Sequence, residues 1–149
     1  MSDIEIDQSG RIEVLTEDTA LGFSDDHQVA ILIPAAIKRN CSRQLRARGV
    51  RPKMISIRMF AGGLFLLMEN YLNQMESVTI DQEFPGWEAE IKGLLLKHIR
   101  QRVPDFASEN IVFGQIGRAS RAHQVAWRTY RGERVPEKRV TLGELLRFC

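Results

Sequence analysis

The sequence predicts an α/β domain with a mainly parallel central sheet, an antiparallel N-terminal edge and helices packed on the sheet. Three observations carry that prediction. Apolar runs of strand length alternate with helix-period patterns from residue 28 onward. Three extended segments precede the first helix. No linker, repeat or low-complexity stretch divides the 149 residues, so a single domain spans 1–149.

The elements follow in order. Residues 1–9 are acidic and are expected to be loose. Residues 11–15 alternate weakly and read as a strand, as do 20–24; Asp25-Asp26 turns the chain into the apolar strand 28–33. Pro34 then suits the first turn of a helix. Ile37, Cys41 and Leu45, spaced by four, form its buried stripe, and Gly49 ends it. Residues 54–60 read as a strand and 62–72 as a mostly apolar helix. Residues 77–80 form a short buried strand leading into Asp81, and 86–102 an amphipathic helix with Ile91, Leu95 and Ile99 inward. A strand at 111–116 and a helix at 120–131 follow, the latter with Ser120 as N-cap and Gly132 after its end. Residues 141–148 close the chain as a helix, where Thr141 and Glu144 have the spacing of a capping box.

Composition narrows the class. Apolar residues make up 44% and charged residues 27%, as in an ordinary globular protein. Two distant cysteines cannot build a disulfide framework or a four-ligand zinc site, which suggests a reducing, cytoplasmic setting. The acidic start lacks a signal-peptide core, and the longest apolar run, 60–68, is too short to span a bilayer, so no membrane partner is expected.

The net charge of +2 conceals a segregation. Residues 1–26 hold eight acids and one base, 27–68 hold eight bases and no acid, and 118–139 hold seven bases and two acids. A field of this kind is one a polyanion feels. Lys38, Arg39, Arg43 and Arg46 on the first helix are the expected nucleic-acid-binding row. Ordinary solvated faces and ion pairing within the monomer would explain the same charges.

Two segments carry candidate chemistry. Asp81 and Glu83 follow a strand and point the same way while the chain stays extended, and Glu88 lies in the next helical turn. Asp81, Glu83 and Glu88 are therefore the expected ligands of Mg²⁺ or Mn²⁺, because hard cations take oxygen donors. Glu88 would equally complement the helix dipole and pair with Lys92. The second segment, 114–123, is a strand, a glycine turn and a helix N-terminus. Gly117, Arg118 and Ser120 are placed to bind a phosphate there. His123 is placed to assist proton transfer together with Glu88. If the two preceding strands are neighbours, both clusters share one cleft.

The order of three early strands followed by alternating helices and strands resembles the RNase H-like superfamily of metal-dependent nucleases. That family places an aspartate in its first strand, whereas the segment 12–15 offers only Glu13, and the acidic cluster falls on a later strand than the family pattern implies. No catalytic residue is carried over from the resemblance. The expected function is a divalent-metal-dependent nuclease or phosphodiesterase. The alternative is a non-catalytic nucleic-acid-binding or accessory protein, acting as a homo-oligomer or with an acidic protein partner.

Overall fold

The computed structural model describes residues 3–149. Six strands form one mixed sheet: β1 (Asp3–Ser9), β2 (Thr19–Ser24), β3 (Gln28–Ile33), β4 (Ser77–Asp81), β5 (Ile111–Gly114) and β6 (Lys138–Arg139), in the order β5-β4-β1-β2-β3-β6. β2 pairs antiparallel with both β1 and β3, while β4 joins β1, β5 joins β4 and β6 joins β3 in parallel. Five helices pack on this sheet: α1 (Ala35–Ala47), α2 (Pro52–Met68), α3 (Glu88–Ile99), α4 (Arg121–Tyr130) and α5 (Leu142–Phe148). The α/β class and the antiparallel N-terminal block are those the sequence predicts.

Side-chain alternation divides the helices between the two faces. Leu21 and Gly22 are adjacent in β2 and point opposite ways. A methyl group at Gly22 would lie 3.0 Å from the backbone nitrogen of Ala126 in α4, whereas Leu21 meets α2 at Gly63. The main core fills the α2 side with Ile4, Ile6, Leu21, Phe23, Ile31, Ile33, Val78 and Ile80 from the strands. α4 covers the other face alone among the helices that contact the strands most closely.

Two elements differ from expectation. Residues 3–9 are not loose: Ile4 and Ile6 are buried at 1% exposure, and the strand lies between β4 and β2. Residues 1–2 lie outside the described residues. Residues 54–60 are not a strand but the first half of α2, with Pro52 in its first turn. The alternation there arises because Ile55, Ile57, Met59 and Phe60 are all buried in a helix enclosed on most sides.

The segment 11–15 is a turn, not a strand. Gly10 ends β1 at a φ of 75°, where a side chain would collide with the Asp18 carbonyl and the Tyr130 ring. Lys38 then ties the loop down. Its ammonium is fully buried and donates to the carbonyls of Arg11 (3.1 Å) and Val14 (2.7 Å) and to the Thr19 hydroxyl (2.9 Å). Lys38 is therefore a structural staple and not part of a nucleic-acid-binding row. The capping box of α5 forms as expected, with Thr141 and Glu144 bonded reciprocally. No helix of the described residues is long and apolar enough to cross a membrane.

Candidate functional site

The site is built on the central strand. In β1 the alternation that buries Ile4 and Ile6 sends Glu5 and Asp7 to the α4 face. Asp7 is paired in register with Gly22, the residue against which α4 rests, and is only 4% exposed. On the other side of β1, Ile6 is in register with Ile80, so Asp81 emerges at the end of β4 beside Asp7. Glu83 follows two residues later. One oxygen from each of Asp7, Asp81 and Glu83 lies within 4.8 Å of the others.

Two further contacts orient the cluster. His123, in the first turn of α4, places Nδ1 2.8 Å from Oδ2 of Asp7. The Ile116 amide donates to Oδ1 of Asp81 at 2.8 Å, which links β4 to the loop after β5. β4 and β5 are neighbours, with Asp81 opposite Gly114, so the two polar segments share a cleft as the sequence allowed. That cleft encloses about 660 Å³ and is lined by the carboxylates together with Gln8, Arg118, His123 and Trp127.

The electrostatics are those of crowded anions. Burial, hydrogen bonding to Asp81 and repulsion from Asp81 and Asp7 push the Glu83 carboxyl up to about 8, against the pull of the nearby Gln8 amide. Burial also raises Asp7, with Asp81 adding to the effect and the bond to His123 opposing it. The Gln8 side chain is 9% exposed, yet neither its oxygen nor its nitrogen has a hydrogen-bond partner of good geometry. An orphaned amide beside three converging carboxylate oxygens is a donor set suited to a hard cation such as Mg²⁺ or Mn²⁺.

No family model, no curated protein and no solved structure matches the chain.

The residues singled out in the sequence divide three ways. Asp81, Glu83, Arg118 and His123 come together in the cleft. Glu88 does not join them. It is partly exposed, accepts from Gln82 Nε2 at 2.7 Å and from the Gly86 amide at 2.9 Å, and so closes the loop ahead of α3, bonds that also lower its carboxyl. Its expected roles as metal ligand and proton carrier are thus replaced by a loop-capping one. Ser120 is likewise engaged: its hydroxyl donates to Glu5 at 2.9 Å and accepts from the Ala122 amide at 3.2 Å, capping α4. Gly117 makes the preceding turn, its carbonyl accepting from the Ser120 amide. Arg39, Arg43 and Arg46 are exposed, as expected of a solvent-facing row. However, α1 packs on α2 and α5, on the side of the sheet away from Asp7 and α4.

Asp7, Gln8 and Trp127 are the site residues that sequence reasoning missed. The signal for Asp7 was present: Ile4 and Ile6 alternate with Asp3, Glu5 and Asp7 at the period of a strand.

Proposed function

We propose that the chain is a divalent-metal-dependent nuclease or phosphodiesterase acting on nucleic acid. The observation that carries this reading is the convergence of Asp7, Asp81 and Glu83 at adjoining positions of β1 and β4, with His123 bonded to Asp7. The strand order supports it too. With residues 3–9 as the first strand and 54–60 returned to a helix, the first strand carries an aspartate and the acidic cluster falls on the fourth strand. An aspartate in the first strand is what the RNase H-like resemblance implies, which supports a likeness to that superfamily as part of the same proposal.

Asp7, Asp81 and Glu83 would hold Mg²⁺ or Mn²⁺, with the Gln8 amide close by. A cation there supplies Lewis acidity and an acidified water. The chain's own residues do the rest. Glu83 gives up its proton as the site is filled. Asp7 fixes the His123 ring through Nδ1, leaving Nε2 as the ring's second proton-carrying atom at the cleft. Arg118, exposed at the cleft wall, offsets the charge of an incoming phosphodiester.

The test is cleavage of end-labelled single- and double-stranded DNA and RNA with Mn²⁺, Mg²⁺ or chelator. Metal-dependent cleavage that falls at least about a hundredfold in Asp7→Asn supports the reading. Binding without cleavage under every metal condition would replace it with the non-catalytic alternative.

A further inference from the structure

Trp127 is the one large aromatic on the described surface of α4 that is substantially exposed, at 40%. It lies one turn beyond His123 on the same helix face, and the two residues line both the carboxylate cleft and an adjoining hollow of about 410 Å³. Arg131 covers part of the indole, its guanidinium 5.2 Å from the ring, and Tyr130 packs beside it with centroids 6.4 Å apart. The rest of the ring faces the cleft. A tryptophan left open to water beside a polar cleft has no packing reason for its exposure.

The helix that carries Trp127 has one sign of charge. α4 contains no acid, and its exposed face presents Arg121, Gln124 and Arg128 at i, i+3 and i+7. Among the described residues Arg118, Arg121 and Arg128 are in none of the salt bridges. Arg118 and Trp127 stand at the cleft, Arg121 and Arg128 line a hollow on the other flank of α4, and Gln124 lies between, so a cationic track crosses the helix from the cleft with an aromatic face at its inner end. Phosphate groups match the track, and a planar base matches the indole. A base inside a duplex has both faces covered by its neighbours, so only an unpaired base can reach the ring.

We propose that Trp127 stacks on an unpaired nucleobase while Arg121 and Arg128 hold the same strand's backbone, so that the substrate is single-stranded or locally opened nucleic acid. This rests on the nuclease reading for the meaning of the cleft, but it is measurable without turnover. A Trp87→Phe background leaves Trp127 as the sole tryptophan. Its fluorescence is followed, in chelator, during titration with oligothymidylate, oligouridylate and a paired dA·dT duplex. Quenching by a single strand is expected, with the duplex binding at least several-fold more weakly, and the DNA and RNA arms identify the sugar. Trp127→Ala should weaken single-strand binding about tenfold or more, Trp127→Phe much less, with thermal unfolding confirming that each variant is folded. Equal binding of strand and duplex with unchanged fluorescence, indifference to Trp127→Ala, or no binding at all would overturn the inference. Mn²⁺ titration of the same proteins separates the two readings: Mn²⁺ binding without quenching sinks the stacking proposal alone, and quenching without Mn²⁺ binding sinks the nuclease reading alone.

Discussion

Glu83 and Lys38 are single residues whose surroundings make firm demands. Glu83 titrates at about 8 in the fold against an ordinary 4.5. Between those values the folded state keeps a proton that the unfolded chain has released, so metal-free stability falls as pH rises through that window. Urea unfolding at several pH values should show this decline, and Glu83→Gln should flatten it. An identical pH dependence in the variant would mean that Glu83 is not crowded by Asp81 and Asp7. Lys38 commits all three of its hydrogens, two to carbonyls of the loop between β1 and β2 and one to Thr19 at the start of β2. Lys38→Met leaves those acceptors buried and unpaired, and should cost about 3 kcal/mol in the same measurement. A cost of less than about 0.5 kcal/mol would contradict the staple. Glu83 was legible in the sequence as a carboxylate two residues after Asp81, whereas the role of Lys38 was not. Lys38 sits among seven other bases in an acid-free stretch and looks like one more surface charge. Its burial comes from the loop folding over it, a contact between positions about two dozen residues apart.

At the level of elements, local pattern succeeded where one face is buried and failed where two are. β3, β4 and α4 have a single buried face or short apolar run, and the sequence shows them. α2 is buried on most sides, so its helical period vanishes and a short alternation passes for a strand. β1 failed for a different reason: its alternation is clear, but three acids and a terminal position mimic a loose tail. That single misreading concealed Asp7, and with it the link between His123 and the carboxylates. The contact of α4 with the sheet is the element-scale determinant of that link. Gly22→Ala would push a methyl to 3.0 Å from the Ala126 nitrogen, a backbone atom that cannot swing aside. α4 must then lift, at a cost of about 1–3 kcal/mol. Besides the lower urea midpoint, the His123 ring resonances should cease to depend on Asp7 titration. A stable Gly22→Ala protein with unaltered His123 resonances would show that the helix is not seated as described.

Over the whole molecule, charge is divided between the two faces of the sheet. The α1 row of Arg39, Arg43 and Arg46 lies on the side of the sheet away from the α4 row of Arg118, Arg121 and Arg128; Arg118 lines the cleft, and Arg121 and Arg128 stand on the far flank of α4. Replacing the α4 row by glutamine should therefore lower the salt slope of nucleic-acid binding, by about one counterion for each phosphate that is no longer neutralised. The α1 triple should change it little. The reverse result would place the binding face on α1. The central claim is that Asp7, Asp81 and Glu83 form a cation site, and it is tested most directly by thermal unfolding with and without Mn²⁺. Wild type and Glu88→Gln should both gain stability with Mn²⁺ by mass action. Asp7→Asn and Asp81→Asn should gain much less, while unfolding at or above the wild-type temperature in chelator because one repelling charge is gone. Wild-type protein indifferent to Mn²⁺, or an Asp7→Asn variant that responds as wild type does, would contradict the claim.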